Sequence, residues 1–443
     1  MKKTLVSLAA ASLIVTSAVA ADKGIDIVTT GQAVVYYNTL GNNGGKDLFT
    51  ANGGAANSKG NFGVQLNLDA DLKNDFTFGS QINYLTTLGL EKNLVNADMQ
   101  NTNGTTGTEK SISDDIYFSK LFIAKKMGKT TIKLGRQELP KALSPFAFSE
   151  GWNVFKNTFD AGLVVNTDIP KTTIVGAYVA KGNGNGFGNN MSSFTDLVVS
   201  ADAGGTTTVG GTAYMLTVQN KSLPMTTVTA SYYDLAKIAT TLTAGDIGAN
   251  VMWLDAKVAS KDLPMGLNFG LQGGQIAPDN FKAVKMANTT ALGAKIGMKP
   301  IDALSLSLAY TSISGDETDA NVAIRNTTGV KTPLYTQMIA NQDWIALDSN
   351  TIMLKGVYNT GNYGKIILQG SMSDTGKASL KRYTDASSKS QGQDLLDIEL
   401  VYKVKVGDVN LLAAYISQDF DKDNGSTAED HNDIVRFVAR YNF

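Results

Sequence analysis

The sequence predicts an all-β fold, a single transmembrane antiparallel β-barrel of about 18 strands, with 16 as the alternative. Three features predict it. Apolar and polar residues alternate in runs of strand length, and the connections between these runs alternate between short and long. After the first twenty residues, no apolar window approaches the roughly 18 residues that a membrane-spanning helix needs. Short turns at one end and long loops at the other are typical of bacterial outer-membrane barrels.

The strand runs have one apolar face and one polar face. From Phe62 to Leu72 every second residue is apolar, and the run from Ile398 to Val406 repeats the pattern. Its polar face carries Glu399, Lys403 and Lys405. A sealed core would not tolerate these charges without matched partners, whereas a water-filled lumen does. In the run 116–126 the aromatic residues fall on both faces, so no face can be assigned there.

The connections differ sharply in length along the chain. The short ones are predicted turns at Lys73-Asn74, Met127-Gly128, Ile169-Pro170, Leu223-Pro224, Leu263-Pro264, Pro300-Ile301, Gly361-Asn362 and Gly407-Asp408. The long ones are rich in Asn, Gly, Ser, Thr and Asp and run over 40–59, 87–113, 138–156, 183–207, 235–249, 276–287, 314–349, 373–394 and 418–431. We therefore expect the short turns on the periplasmic side and the long loops outside.

The N-terminus has the features of a secretory signal peptide. Lys2 and Lys3 precede an apolar stretch from Leu5 to Val15, and Ala18-Val19-Ala20 is a small-x-small cleavage site. We expect residues 1–20 to be removed after export and residues 21–443 to form one barrel domain. The sequence contains no proline-rich linker and no charge block that would indicate a second domain.

The last strand ends in Tyr441 and Phe443 on its apolar face. This ending resembles the insertion signal of Gram-negative outer-membrane proteins. The resemblance implies recognition by the barrel-assembly machinery, a location in the outer membrane, and contact with its lipid and lipopolysaccharide. An ordinary antiparallel edge strand is the alternative.

The composition excludes several kinds of chemistry. There is no cysteine, so a thiol nucleophile, a zinc-thiolate site and disulfides are excluded. The net charge of −1 gives no argument for nucleic-acid binding. We expect no cofactor and no enzymatic activity. An outer-membrane barrel enzyme, of phospholipase or protease type, is one alternative and would need the single histidine, His431, or an Asp/Glu pair at the barrel rim. A structural or adhesive barrel with a plugged lumen is another.

One acidic stretch resembles the beginning of a calcium loop. Asp419, Asp421 and Asp423 have the D-x-D-x-D spacing, but Gly425 comes one place late and position twelve is Asp430 rather than Glu. Two interpretations stay open, a solvated acidic loop and weak Ca²⁺ capture.

A family resemblance appears around the third long loop. The segment Lys133-Leu134-Gly135-Arg136-Gln137-Glu138-Leu139-Pro140 and the returning Thr158-Phe159-Asp160-Ala161 resemble OprD-type porins and the major outer-membrane porins of Campylobacter. The resemblance implies a passive diffusion channel for ions and small hydrophilic solutes, and a homotrimer. It also implies that the loop from Glu138 to Lys156 folds inward and narrows the pore, with Arg136, Glu138, Glu150 and Asp160 near the constriction. The alternative is an ordinary outer loop in which Arg136 pairs locally.

Strand parity predicts a second set of residues, those that line the lumen. Charged residues with inward parity favour counter-ions and so affect selectivity. The predicted set is Lys133, Asp69, Asp71, Asp160, Asp255, Lys257, Lys295, Lys355, Asp397, Glu399, Lys403, Lys405, Arg436 and Arg440. Since both charge signs occur, the sequence does not decide between anion and cation preference.

Overall fold

The computed structural model describes residues 25–50, 57–90, 94–100, 115–187, 191–201, 207–236, 248–279, 285–384, 390–421 and 431–443. The predicted signal peptide, residues 1–20, and Asp423 lie outside this part of the chain. No helix within the described ranges is long and apolar enough to cross a membrane.

The described residues form an all-β structure. In chain order the strands are β1 (Asp26–Asn42), β2 (Ser58–Lys73), β3 (Phe76–Thr86), β4 (Asp115–Met127), β5 (Thr130–Gln137), β6 (Phe159–Asn166), β7 (Thr172–Gly182), β8 (Leu197–Ala201), β9 (Thr207–Asn220), β10 (Thr226–Ala236), β11 (Ala249–Ala259), β12 (Asn268–Pro278), β13 (Met286–Ala287), β14 (Thr289–Ile301), β15 (Leu304–Ile313), β16 (Ala320–Asn321), β17 (Ser349–Asn359), β18 (Lys365–Thr375), β19 (Arg382–Thr384), β20 (Ser390–Gly392), β21 (Leu395–Val406), β22 (Val409–Phe420) and β23 (His431–Asn442). Two short 3-10 turns lie at Pro264–Gly266 and Gly361–Tyr363.

Eighteen of these strands form a closed antiparallel barrel, which confirms the predicted fold class and strand number. The barrel closes because β1 pairs with β2 on one side and with β23 on the other, in a register from Gln32 with Asn442 to Asn42 with Asn432. Closure removes the unpaired sheet edges that would otherwise be left without hydrogen-bond partners in lipid. The remaining five strands are short. β8 pairs only with β9, β13 with β16, and β19 with β20.

The connections alternate in length as predicted. The turn between β2 and β3 is Asn74 and Asp75, whose φ angles of 51° and 63° are those of a tight hairpin turn. The longer connections start and end at the opposite ends of these strands. Two of them are central below and are named L3 (residues 138–158, between β5 and β6) and L7 (residues 314–348, between β15 and β17).

The two faces of the barrel wall differ in chemistry. Large apolar side chains cover the outside, and Leu254, Leu271 and Leu292 are 51%, 65% and 69% exposed. Inward side chains of the same strands are mostly polar or small, such as Asp255 and Gln272. This alternation is the one that a lipid-facing surface around a wet lumen requires.

Strand parity can be tested by labelling. We expect a cysteine at Asn67 or Lys403 to react with a membrane-impermeant thiol reagent, because both side chains line cavities in the lumen. A cysteine at the adjacent Leu66 or Tyr402 should be protected by lipid. The chain has no native cysteine, so the background is empty. Labelling of the second pair but not the first would mean that the faces are exchanged.

The strand whose faces the sequence left unassigned contains a bulge. The register between β3 and β4 shifts where Gln81 pairs with Lys120 and Ile82 pairs with Phe118. Ile116 and Phe118 therefore share the outer face with Leu121 and Ile123 although their parity differs. One extra residue in a strand reverses its alternation from that point onward.

Candidate functional site

Three cavities lie inside the barrel. The largest, about 1370 Å³, lies along β9 to β14 and contains Asp255, Lys257 and Lys295. The second, about 990 Å³, lies along β18 and β21 to β23, and the third, about 440 Å³, lies beside β1 to β4. All three end against residues of L3, and the first two also end against L7.

L3 crosses the interior of the barrel. At one end the Phe146 ring makes edge contacts with Trp253 of β11 and Tyr233 of β10, with ring centroids 5.3 and 5.8 Å apart. At the other end Arg440 of β23 donates hydrogen bonds to the carbonyls of Asn153 (2.7 Å) and Val154 (2.8 Å). The loop is therefore attached to widely separated parts of the wall and spans the space between them.

Glycines in the wall allow the loop side chains to approach closely. A Cβ atom at Gly63 of β2 would lie 2.7 Å from the Phe155 ring of L3. A Cβ atom at Gly270 of β12 would lie 2.8 Å from the Tyr335 ring of L7. Both distances are too short for real carbon contacts, so these positions require a residue without a side chain if the two rings are to stay in place.

L7 also lies inside the barrel, which the sequence analysis did not predict. The Tyr335 hydroxyl donates to Asp255 of β11 at 2.9 Å. Farther along the loop, the amides of Ile339 and Ala340 donate to Glu399 of β21 at 2.7 and 3.0 Å. A signal was available in the sequence, because Trp344-Ile345-Ala346-Leu347 is more apolar than a solvated outer loop usually is.

L3 and L7 contact each other extensively. The side-chain amide of Asn326 pairs with the backbone of Phe148, accepting from its N–H at 2.8 Å and donating to its carbonyl at 2.7 Å. The amide of Thr327 donates to the Phe146 carbonyl at 2.8 Å. The Lys141 ammonium donates to the Thr332 carbonyl, also at 2.8 Å. The two loops are thus joined to each other inside the barrel.

Two lysines of these loops, the exposed Lys141 and the half-buried Lys331, have lowered pKa values. Desolvation by the surrounding protein lowers the pKa of Lys141 to about 8 and that of Lys331 also to about 8. The Lys331 ammonium lies 5.2 Å from the centroid of the Trp152 ring and donates to the side chain of Gln342 at 2.9 Å. Both lysines therefore lose their positive charge at a pH closer to neutral than an ordinary lysine does.

The second cavity contains many of the predicted lumen charges. Its cationic lining residues are Lys331, Lys365, Lys403, Lys405, Arg436 and Arg440. No acidic residue is among the described side chains that line it. Trp152, Met338, Ile339 and Leu412 give it an apolar flank. The combination forms a cationic surface next to an apolar one.

The other predicted lumen charges lie elsewhere on the inner wall. Asp255 pairs with Lys257 at 2.9 Å in the first cavity, which Lys295 also lines. Asp69 lies in the third cavity, and the Lys133 ammonium lies 3.6 Å from the centroid of the Phe122 ring. Glu399 and Asp397 are buried beneath L7, where Asp397 accepts a hydrogen bond from Gln418 at 3.0 Å. Lys355 lies on the same strand face as the buried Met353. Asp71 lies on the same face as Asp69, close to the short turn that follows β2.

The four predicted constriction residues do not form one cluster. Glu138 lines the third cavity and bridges Lys120 (2.8 Å) and Lys156 (2.7 Å). The Glu150 side chain is buried at the contact between L3 and L7. These two belong to L3, and only Glu138 among the four lines one of the three cavities.

Arg136 and Asp160 are not brought to the lumen. Arg136 shares the strand face of Leu134, which is 54% exposed, and pairs across the sheet with the outward Leu121. Asp160 lies between Phe159 and Ala161, whose side chains are buried on the inside. The two form an ion pair at 2.8 Å, and the guanidinium stacks on the Phe194 ring. This is the local pairing that the sequence analysis left as the alternative for Arg136.

The remaining candidates lie near the long-loop end of β22 and β23. The His431 ring nitrogens lie 2.7 Å from Asp419 and 3.2 Å from Asp433. Of the predicted calcium-loop residues, Asp419 and Asp421 belong to the described part of the chain and Asp423 does not. In the described ranges no group of three or more acidic or histidine side chains is arranged to hold a metal ion. Tyr441 and Phe443 lie on the outside at the other end, with ring centroids 5.8 Å apart.

Sequence comparison identifies no relative of the chain. No protein-family model matches it, and no curated protein matches it.

Comparison with solved structures identifies similar barrels, several of them from Pseudomonas aeruginosa. OccK8 (OprE) is 14% identical with a TM-score of 0.69, and the match covers 94% of this chain and 98% of that one. OccK1 (OpdK) is 13% identical with a TM-score of 0.68 and the same coverage, and OpdK has also been solved with vanillate. OccK2 (OpdF), solved in complex with glucuronate, is 13% identical with a TM-score of 0.66. The resemblance to OprD-type porins is thus confirmed at the level of the fold, since the whole described barrel has the architecture of these proteins.

Proposed function

We propose that the protein is an outer-membrane channel through which small hydrophilic solutes diffuse passively, with a preference for anions. The observation that carries the proposal is a closed barrel whose inner cavities are lined by charged side chains and end against L3 and L7. A barrel of this strand number is wide enough to leave an aqueous path around inserted loops. The fold shared with the Pseudomonas barrels supports the same interpretation.

The anion preference rests on the second cavity. Its six cationic side chains have no acidic neighbour among the described lining residues. Charges of one sign beside a low-dielectric wall raise the local concentration of counter-ions. OpdK and OccK2 were solved with vanillate and glucuronate, and both of these molecules carry a carboxylate. We infer that organic acids of similar size are among the solutes that this channel admits.

Liposome swelling with three solutes of one size tests this proposal. Glucuronate, glucose and glucosamine differ mainly in charge, so their relative rates report on selectivity rather than on pore width. We expect the order glucuronate, glucose, glucosamine. Absence of swelling in all three would contradict the channel itself. The reverse order would contradict only the anion preference.

Selectivity should also depend on pH. Because Lys141 and Lys331 have pKa values lowered to about 8, they lose positive charge as the pH rises through that value. We expect the reversal potential under a KCl gradient to shift towards weaker anion preference between pH 7 and pH 9. The double variant Lys141→Met, Lys331→Met should show a smaller shift. An equal shift in parent and variant would assign the titration to other groups.

A further inference from the structure

We propose that Glu150 is the positioning residue of the constriction, since it holds L3 and L7 together as one unit whose placement sets the width of the pore. This inference rests on the proposed channel function. It differs from the sequence-based interpretation, in which Glu150 contributes a charge near the narrowest point.

The Glu150 carboxylate is fully occupied by L7. It accepts hydrogen bonds from the backbone amides of Lys331 (2.7 Å) and Val330 (3.2 Å), and from the side chain of Asn326 (2.8 Å). Consecutive backbone N–H groups that point to one place form a concave site for an anion. Here the anion is a side chain of the neighbouring loop, and it is 3% exposed.

Gly329 makes this approach possible. A Cβ atom at position 329 would collide with the Glu150 carboxylate and with the Asn326 side chain. The turn that presents the two amides therefore needs a residue without a side chain at its closest point to L3.

The backbone of Glu150 is held as firmly as its side chain. Its N–H donates to the side chain of Asn157 at 2.7 Å, within L3. Its carbonyl accepts from the side chain of Asn185 at 3.1 Å, and Asn185 belongs to the next long loop. Movement of L7 away from L3 must therefore break the carboxylate contacts, because the residue that carries the carboxylate cannot follow.

The position of this contact explains why it affects pore width. L3 is attached to the wall through Phe155 at Gly63, and L7 through Tyr335 at Gly270. Glu150 joins the two loops between these attachments. The charge of Glu150 acts on Lys141 and Lys331, whereas its carboxylate oxygens are held by three donors of L7, and this second effect is the one that fixes the geometry of the two loops.

Single-channel recording of Glu150→Ala tests the proposal. We expect a higher unitary conductance and more open-channel noise than in the parent, because L7 is released at one point. Glu150→Gln retains one acceptor oxygen and should lie between the two. Glu317→Ala is the matched control, since this L7 carboxylate is exposed, pairs with Lys377 at 2.9 Å and lines none of the three cavities. It should conduct like the parent.

A double-mutant cycle with Asn326→Ala adds an independent readout. Asn326 also bonds to the Phe148 backbone, so the double variant should conduct more than Glu150→Ala. Its increase should nevertheless be smaller than the sum of the two single increases, because both single variants lose the bond between Asn326 and Glu150. Folding is verified by the mobility shift of unboiled protein on a gel. If Glu150→Ala does not fold, Glu150→Gln and Asn326→Ala decide the question. Parent-like conductance and noise in the folded variants would overturn the proposal, whereas a parent that does not conduct would overturn the channel function instead.

Discussion

The substitution Gly31→Val is expected to impair closure of the barrel, and we expect an effect as large as that of deleting Phe443. Gly31 of β1 exchanges backbone hydrogen bonds with Phe443, at 2.7 and 3.0 Å. A Cβ atom there would lie 2.5 Å from the Phe443 ring and 2.7 Å from the Gln65 carbonyl. An overpacked side chain usually lowers the free energy of unfolding by about 1–3 kcal/mol. Here the overpacking lies at the seam, the pairing of β1 with β23 that closes the barrel. The measurement is the fraction of folded, gel-shifted protein in the outer membrane.

Gly176→Val is the control for the Gly31 variant. Gly176 is also a strand glycine, but a Cβ atom there would have no heavy atom within 4 Å. It should fold like the parent. Deletion of Phe443 should leave periplasmic, protease-sensitive protein, because it removes the backbone partner of Gly31 and the terminal aromatic that resembles an insertion signal. Normal folding of Gly31→Val would show that the seam tolerates displacement of the ring.

Replacing residues 332–341 of L7 by a short Gly-Ser linker should raise conductance more than any single substitution. This segment extends along the inner wall from Asp255 of β11 to Glu399 of β21. Its removal should therefore widen the path for solutes. The measurement is unitary conductance in a planar bilayer, together with permeation of a larger sugar. A deletion that conducts like the parent would show that L7 does not limit the flow.

Neutralising Arg136 serves as a comparison for the L7 deletion. Since Arg136 faces outward and pairs with Asp160, Arg136→Gln should leave the reversal potential unchanged. Neutralising Lys403 and Lys405, which line the second cavity, should shift it towards cations. The charges that matter for selectivity are thus expected on the wall of β21 rather than at the end of β5.

The fold was predictable because its signals are local. The alternation in β2 and β21 can be recognised from residue types alone, because apolar residues prefer lipid and polar residues prefer water. Turn residues such as Asn74 and Gly407 then identify the hairpins. The extra residue in β4 could not be located, because several positions would fit the composition equally well. The partner strand β3 decides where the bulge forms.

The site was less predictable because it depends on contacts between distant segments. Whether L7 enters the barrel depends on a glycine at position 270 and a carboxylate at position 399, and no short window of sequence contains these residues together with Tyr335. Arg136 was assigned to the constriction by resemblance, although the parity of Lys133 in the same strand places it on the opposite face. For Arg136 the structure agrees with parity. Asp160, which parity also placed in the lumen, lies on the opposite face from the buried Phe159 and Ala161, next to a shift in the register between β6 and β7.

Planar-bilayer recording of the purified protein under a KCl gradient tests the central claim most directly. We expect stepwise insertion of open channels and a reversal potential of the sign that anion preference produces, with a weaker potential in the Lys403→Gln, Lys405→Gln variant. Folded protein that produces no conductance steps would contradict the channel. A reversal potential of the opposite sign would contradict the role assigned to the cationic cavity.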